Sequence, residues 1–292
     1  MRDLTGLRVV AVHAHPDDES LWTGGATAQL ARRGADVTVV TCTLGEEGEV
    51  IGDTFSYLVA DKADQLGGFR IGELSQSLQV LGARGEFLGG AGRWRDSGMV
   101  GTPSAEHPRA FVQSGTTAVE QLEEIFERIR PHLVLTYGPD GGYGHPDHIR
   151  AHELVHATSY RPQRVVWAVT PKEVTKTGIE AITKLPAGWL ARPEEIAGVE
   201  EWDFEVPLSD EDYSRKIASM KAHPTQVWFA DGTTSAVNPV AAFATVSDIA
   251  AAPKVFALSN LLAQPLIHRE YYQLGEGEPV VDSTDIAAGL EF

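Results

Sequence analysis

Short apolar runs separated by turn residues mark the first 170 positions of the chain. Continuous runs rich in β-branched residues are typical of strands buried on both faces. They occur at Leu7–Val12, Asp36–Leu44, Leu133–Tyr137 and Arg164–Val169, with a weaker candidate at Phe87–Leu88. Helical spacing predicts helices between them, at Ser20–Arg33, Asp61–Leu81 (interrupted at Gly67–Gly68), Thr117–Ile129 and Pro146–Ser159. Strand, helix and strand in this order predict βαβ units with parallel strands.

The pattern weakens after residue 170. It predicts a strand over Trp202–Pro207, a helix over Ser209–Ala222 capped by Ser209, and a short helix over Phe256–Leu262. No repeat or linker divides the chain, so we expect a single α/β domain over residues 1–292. Its expected architecture is a three-layer, Rossmann-like fold with a mainly parallel sheet. Residues 1–170 would form the core, and residues 171–292 would cover the end of the sheet that carries the active site.

Charge and cysteine content exclude several classes of protein. The chain has 24 Lys and Arg against 41 Asp and Glu, a net charge of −17, which disfavours binding to nucleic acid or to an anionic membrane. The single cysteine, Cys42, excludes an intrachain disulfide and any zinc site built on several cysteines. Neither a signal-peptide pattern nor an apolar stretch of about 18 residues is present. We therefore expect a soluble, cytoplasmic protein.

Two polar loops follow predicted strands and carry the candidate chemistry. His13–Glu19 follows the first strand, and Tyr143–His148 follows the strand Leu133–Tyr137. In a Rossmann-like sheet these strands lie side by side where the strand order reverses, which is where ligands bind. Imidazole and carboxylate are ordinary ligands of Zn²⁺ or Fe²⁺, and catalytic sites use three such ligands. Of two consecutive aspartates, one would bind the metal and the other would act as a general base.

A purely structural interpretation competes with this one. Acidic residues in the first turn of a helix stabilise it by about 0.3–1 kcal/mol each without any function. Either loop alone is therefore compatible with a capping sequence, and His13 is expected to be a structural histidine. Two such loops at neighbouring strand ends favour a metal site.

Several motifs resemble one known family. HPDDE at 15–19 together with HPDH at 145–148 resembles the PIG-L/LmbE-like zinc-dependent N-deacetylases of amino-sugar conjugates. GEEGEVIGD at 45–53, RIGEL at 70–74, GGAGRWRDSGM at 89–99 and GGYGHPDH at 141–148 resemble the branch that removes acetate from N-acetyl-glucosaminyl-inositol. AHPTQV at 222–227 and ALSNLLAQP at 257–265 extend the resemblance more weakly, and the segment after residue 227 departs from it most.

The resemblance implies a role for each matching residue. His15, Asp18 and His148 would hold one metal ion per chain, Zn²⁺ or Fe²⁺, with Asp17 as the general base. His145 would be the acid or electrostatic partner, Tyr143 a mobile residue that stabilises the oxyanion, and Asp147 a group that orients a histidine. Arg70 and Asp96 would bind the inositol hydroxyls, with Glu49 close to the substrate. The implied partner is a small amino-sugar-inositol molecule, without nucleic acid or membrane.

Three alternatives stay open. The family also contains an amidase that cleaves larger thiol conjugates, but Leu21–Trp22 stand where it is expected to carry a lysine. A related deacetylase could act on a different N-acetylglucosaminyl conjugate, such as a lipid, which the acidic composition disfavours. A Rossmann-like sugar- or nucleotide-binding module without catalysis is the third, although the first loop lacks a G-x-G-x-x-G pattern.

Overall fold

A seven-stranded sheet forms the centre of the protein in a computed structural model that describes residues 2–292. The strands are β1 (Arg8–His13), β2 (Asp36–Thr41), β3 (Arg84–Phe87), β4 (Leu133–Tyr137), β5 (Arg164–Val169), β6 (Ile182–Lys184), β7 (Phe204–Pro207), β8 (Trp228–Phe229), β9 (Thr245–Val246), β10 (Lys254–Ala257), β11 (Gln264–Leu266) and β12 (Arg269–Gly277). The central sheet has the order β3-β2-β1-β4-β5-β12-β7. Its first five strands are parallel, and β12 runs antiparallel to both of its neighbours.

Helices cover both faces of this sheet. They are α1 (Asp18–Leu21), α2 (Gly24–Arg32), α3 (Leu66–Leu81), α4 (Gly115–Ile129), α5 (Pro146–Ala157), α6 (Lys172–Glu180) and α7 (Asp210–Lys221). Apolar side chains of α2, α3 and α7 pack on one face, and those of α4 and α5 pack on the other. The predicted three-layer α/β fold with a mainly parallel sheet is thereby confirmed. Among residues 2–292, no helix is both long enough and apolar enough to cross a membrane.

The strand order places the two polar loops next to each other. β1 pairs with β2 on one side and with β4 on the other, in the register Val9↔Leu133. The connection therefore reverses between β1 and β4, as in other open parallel sheets that bind ligands at this position. The loop after β1 and the loop after β4 emerge at the same edge.

Two of the predicted helices need correction. The helix predicted over residues 20–33 is two helices, because the chain breaks at Trp22–Thr23 between α1 and α2. The helix predicted from Asp61 begins only at Leu66, and it includes both glycines of Gly67–Gly68. A Cβ on Gly67 would lie 2.7 Å from Glu46 Cγ, so close packing rather than a helix break explains this glycine.

The predicted short helix over Phe256–Leu262 is wrong. Lys254–Ala257 forms β10, which pairs antiparallel with β8 and β11 in a small second sheet. Phe256 lies opposite Phe229 on one side and Gln264 on the other. Neither partner belongs to the segment Phe256–Leu262, so the pattern within that segment does not reveal the pairing. Tertiary pairing has therefore overridden the local pattern.

Candidate active site

The loop after β1 turns sharply at Asp17 to begin the short helix α1. The backbone of Asp17 has φ 118° and ψ −29°, a conformation that costs a non-glycine residue about 1–3 kcal/mol. Its carbonyl accepts hydrogen bonds from the amides of Ser20 and Leu21, both at 2.9 Å, and its own amide donates to Glu19 Oε2 at 2.9 Å. The turn brings the consecutive carboxylates of Asp17 and Asp18 into the same crevice.

Three donor atoms from the two loops form an almost equilateral triangle. His15 Nδ1 lies 3.3 Å from His148 Nε2, and Asp18 Oδ2 lies 3.4 Å from each of these nitrogens. A tetrahedral ion with bonds of about 2.0–2.1 Å keeps its ligands about 3.3 Å apart. The spacing of the three atoms therefore fits a single Zn²⁺-like ion.

The other nitrogen of each imidazole faces an oxygen acceptor. His148 Nδ1 lies 3.0 Å from the carbonyl of Gly141, and His15 Nε2 lies 3.3 Å from Asp147 Oδ2 and 3.5 Å from Asp96 Oδ1. When these two nitrogens carry the ring protons, His148 Nε2 and His15 Nδ1 are unprotonated. The lone pairs of His148 Nε2 and His15 Nδ1 then point into the triangle. Such outer acceptors are the usual means of fixing metal-binding histidines.

Charges around the triangle favour a cation. Burial lowers the pKa of His15, but Asp96 and the contacts with Asp147 and Asp18 outweigh this and leave that pKa well above its ordinary value. Burial likewise opposes ionisation of Asp18, but His148 and then His15 hold its pKa well below the usual range. A positive charge between these donors, a proton or a metal ion, is therefore strongly stabilised.

Asp17 and His145 have pKa values shifted in opposite directions. Burial raises the pKa of Asp17 to about 6, with Arg70 opposing the shift and Asp18 adding to it. Burial, together with His15 and His148, lowers the pKa of His145 to about 3. His145 Nδ1 accepts a hydrogen bond from the amide of Asp147 at 3.2 Å, so the neutral ring carries its proton on Nε2.

His145 also approaches the donors of the triangle. Its ligand atom and those of His15 and His148 lie within 4.8 Å of one another, and so do those of His15, Asp96 and Asp147. The set of His15, His148 and Asp18 is tighter, because all of its separations are at most 3.4 Å. Asp96 and Asp147 lie on the far side of the His15 ring. The triangle with Asp18 is therefore the set whose spacing fits a single metal ion best.

Arg70 extends from α3 to the loop that carries Asp17. Its Nη2 lies 3.1 Å from Asp17 Oδ2 and donates to the carbonyl of Pro16, while its Nη1 donates to the carbonyl of Gly45 at 2.8 Å. The side chain of Arg70 is only 3% exposed. Arg70 therefore fixes the Asp17 carboxylate and binds the backbone of two loops, at Pro16 and at Gly45.

A cavity of about 1380 Å³ opens above the triangle. Its lining includes the remaining sequence-predicted residues, namely Asp17, Glu49, Arg70, Asp96, Tyr143 and His145. Asp96 is held by its amide, which donates to Glu46 Oε2 at 3.0 Å, and Glu49 is exposed at the rim. Asp147 is fully buried beneath His15 and does not line the cavity.

Tyr143 lies over the histidines on a glycine-flanked turn. Its ring centroid is 4.9 Å from that of His148, yet the residue is 48% exposed. Gly142 and Gly144 on either side have φ values of 82° and 86°. A Cβ on Gly142 would lie 2.5 Å from Trp22 Cη2, whereas one on Gly144 would meet no atom within 4 Å. The turn is therefore packed on one side of Tyr143 and open on the other.

Sequence reasoning missed Tyr137, which lies directly behind the triangle. Its hydroxyl donates to Asp18 Oδ2 at 2.7 Å and accepts from the amide of Ala14 at 2.9 Å. Its ring stacks on His148 with centroids 4.1 Å apart. The available signal was its place as the last residue of β4, immediately before the second loop.

Glu19 and His223 were missed as well. Glu19 Oε1 lies 2.7 Å from His223 Nε2, and both side chains are completely buried. His223 belongs to the AHPTQV segment, and the family resemblance implies no role for this residue. His13 does not enter the triangle, because its Nε2 contacts Thr23 Oγ1 at 2.8 Å.

Comparison with known proteins identifies the family. The family model of PIG-L, described as GlcNAc-PI de-N-acetylase, matches residues 10–159, which contain both loops. The chain belongs to the PIG-L family. Members of this family are metal-dependent N-deacetylases. The PIG-L match ends before α6, so it covers the donors of the triangle but not His223.

Curated relatives match the chain over almost its full length. A protein from Corynebacterium diphtheriae is 61% identical over 99% of this chain and 100% of its own length. One from Nocardia farcinica is 46% identical over 97% of this chain and 96% of its own. Both are named 1D-myo-inositol 2-acetamido-2-deoxy-alpha-D-glucopyranoside deacetylase.

Solved structures show the same fold at low sequence identity. The N,N'-diacetylchitobiose deacetylase from Pyrococcus horikoshii superposes with a TM-score of 0.51 at 17% identity, covering 75% of this chain and 70% of that one. The 4-carboxy-2-hydroxymuconate hydratase from Pseudomonas putida KT2440 also has a TM-score of 0.51 at 17% identity, covering 94% and 99%. Because a hydratase shares the fold, fold similarity alone does not identify the reaction.

Proposed function

We propose that this PIG-L enzyme hydrolyses the acetamide of N-acetyl-glucosaminyl-inositol to glucosaminyl-inositol and acetate, a step of mycothiol biosynthesis. The convergence of His15, His148 and Asp18 beside Asp17 carries the hydrolytic chemistry. The choice of substrate is supported by the full-length relatives at 60–61% identity, which carry that name.

The triangle would hold one metal ion per chain, Zn²⁺ with Fe²⁺ as the alternative. Two neutral imidazoles and one carboxylate suit either ion. When bound there, such an ion supplies Lewis-acid polarisation of an amide carbonyl and lowers the pKa of a water molecule. Tyr137, Gly141 and Asp147 support the proposal, because each fixes the orientation of one of the three donors.

Asp17 is the proposed general base. Its pKa of about 6 keeps it ionised at neutral pH yet basic enough to accept a proton from water. The same carboxyl group can then return this proton to the departing amine. Arg70 holds this carboxylate through a contact of 3.1 Å between its Nη2 and Asp17 Oδ2.

His145 and Tyr143 would act on the carbonyl oxygen. The low pKa of His145 makes it a neutral hydrogen-bond donor through Nε2 rather than a protonated acid. Donors of this kind typically contribute about 3–4 kcal/mol to stabilisation of an oxyanion. The Tyr143 hydroxyl would add a second donor from its glycine-flanked turn.

Asp96 is proposed to contact the inositol hydroxyls, with Glu49 close to the substrate, since both line the cavity. Arg70 lines it too, but two of its three guanidinium nitrogens, Nη1 and Nη2, already contact Asp17, Pro16 and Gly45. We therefore assign Arg70 chiefly to holding Asp17, with contact to the inositol as a second role.

One assay tests the proposed function. Zinc-reconstituted protein would be incubated with N-acetyl-glucosaminyl-inositol, with a thiol conjugate of the same amino sugar, and with N-acetylglucosamine, and the free amine would be quantified. We expect the highest kcat/KM for N-acetyl-glucosaminyl-inositol. A higher value for the thiol conjugate would identify an amidase instead, and absence of amine from all three would refute the proposal.

A further inference from the structure

We propose that His223 is a positioning residue for Asp17, acting through Glu19. This inference rests on the proposed role of Asp17 as general base. Neither Glu19 nor His223 contacts the triangle, and neither lines the cavity. Their importance would lie in holding a backbone conformation that the loop sequence does not favour by itself.

The Asp17 backbone requires support from its surroundings. A residue with φ 118° relaxes towards negative φ unless several contacts oppose the change. The carbonyl of Asp17 is bound to the first turn of α1, but its amide has a single partner, Glu19 Oε2 at 2.9 Å. Rotation about φ turns this amide away from Glu19. The position of the Glu19 carboxylate therefore opposes the relaxation directly.

Glu19 is in turn held by two elements from other parts of the chain. His223, in the turn after α7, contacts Glu19 Oε1 through Nε2 at 2.7 Å, and Ser77 Oγ of α3 donates to the same oxygen. Burial opposes ionisation of Glu19, but His223 and the hydrogen bonds outweigh it and lower its pKa. One carboxylate oxygen thus faces the supporting donors, and the other faces Asp17.

The chemistry of this chain of contacts matches positioning better than packing alone. His223 Nδ1 is buried without a hydrogen-bond partner, so the ring occupies a costly environment for the sake of its Nε2 contact. A leucine of similar size could fill the same space without that cost. Thr225, two residues further on, binds Glu73 through both its amide and its hydroxyl, at 3.0 and 2.7 Å, and so anchors the same segment independently of Glu19.

Four variants test the inference by steady-state kinetics and zinc content. His223→Leu should lower kcat at least about tenfold, with KM and zinc content unchanged, because small misplacements of a reacting group cost one to two orders of magnitude. His223→Gln, whose amide can still donate to Glu19, should recover most of kcat. Ser77→Ala, which removes the weaker support, should give an intermediate kcat. Thr225→Val should lower the Tm and leave kcat within about threefold of the wild type.

A double-mutant cycle separates positioning from a general structural effect. In an Asp17→Asn background, His223→Leu should lower the residual kcat no further, because the residue it positions is already inactive. A tenfold loss that persists in this background would overturn the inference, as would normal kcat in His223→Leu. If the wild type released no amine, the proposed function would fail instead.

A crystal structure of His223→Leu gives a readout independent of activity. We expect the φ of Asp17 to move towards negative values and its carboxylate to separate from Arg70. Retention of φ near 118° and of the 3.1 Å contact would overturn the inference whatever the kinetics. Should His223→Leu fail to fold, the same measurements on Ser77→Ala decide the question.

Discussion

Replacement of Arg70 by alanine should change the pH dependence of catalysis and not only its rate. Arg70 places a guanidinium 3.1 Å from the Asp17 carboxylate, and both side chains are largely buried, with 3% and 12% of their surfaces exposed. Removing this cation leaves a buried carboxylate beside Asp18 and Glu19 with less compensation. The charged form of Asp17 then becomes less stable, so its pKa must rise.

The size of the change follows from the present pKa of about 6 for Asp17. A neighbouring arginine typically lowers the pKa of an aspartate by about 1–3 units, so its loss should raise the pKa of Asp17 to about 7–9. At pH 7 the ionised fraction of Asp17 would fall from about nine-tenths to about one-tenth for a rise of about 2 units. For a rise of about 2 units we therefore expect kcat at pH 7 to fall about tenfold and to recover partly at higher pH.

The assay is a profile of kcat against pH, measured for Arg70→Ala with N-acetyl-glucosaminyl-inositol and with N-acetylglucosamine. The acidic limb should move to higher pH by a similar amount for both substrates, since both need the same base. Arg70→Lys, which keeps the charge, should shift the limb less. Arg95→Gln removes another arginine that lines the cavity but pairs with Glu47 and Asp64, and it should leave the limb in place.

A different outcome would return Arg70 to the role that the sequence resemblance implied. If Arg70→Ala impaired only the inositol substrate and left the acidic limb unchanged, Arg70 would act by binding inositol hydroxyls. The contact with Asp17 would then have no catalytic consequence, and our assignment of Arg70 would be wrong.

Four further predictions follow from the site and its supports. Verified removal of metal by a chelator should abolish amine release and added Zn²⁺ should restore it; full activity without metal would contradict the role of the triangle. Asp17→Asn should retain zinc but lose at least about 10²-fold in kcat, whereas loss of zinc in Asp17→Asn with retention in Asp18→Asn would reverse the two roles. Gly142→Ala should lower kcat more than Gly144→Ala. Both positions have positive φ, which destabilises alanine, but only a Cβ at position 142 would clash with Trp22. Equal losses of kcat would exclude the Trp22 contact as the cause. Burial opposes ionisation of Asp212, but contacts with Arg32 and Ser209 outweigh burial and lower the pKa of this carboxyl group. The ionised Asp212 therefore stabilises the folded protein above about pH 4, and this contribution is lost as pH falls through the folded-state pKa. The difference in the free energy of unfolding between wild type and Asp212→Asn should therefore shrink in acid, and a constant difference from pH 7 to pH 3 would contradict this reasoning.

The parallel part of the fold could be predicted from local patterns. The strands β1, β4 and β5 are buried on both faces, so their apolar runs stand out from the surrounding chain. Parallel connections then place the loops after β1 and β4 at one edge. This reasoning predicts that the two loops face each other, and the family resemblance then selects His15, Asp18 and His148 within them.

The antiparallel and long-range parts could not be predicted in the same way. β12 contains Glu270 and two glycines, so its sequence lacks the continuous apolar pattern of the other strands. It forms a strand because it pairs with β5 on one side and with β7 on the other. The break between α1 and α2 depends on Lys216, which donates to the carbonyl of Leu21, and on Glu270, which accepts from the amides of Gly25 and Ala26. The contact of Glu19 with His223 joins residues 204 positions apart and leaves no periodic signal.

The long sequence separation between the strained loop and its supports also determines when a newly made chain can become active. Glu19 leaves the ribosome 204 residues before His223, and Gly25 leaves it 245 residues before Glu270. At about 5–20 residues per second, translation of the first interval takes about 10–40 s. A nascent chain halted between residues 148 and 223 already contains every donor of the triangle, but it lacks the histidine and glutamate that arrive last. Premature termination in this interval therefore produces a polypeptide with metal donors but without the residues that secure the Asp17 turn and the start of α2.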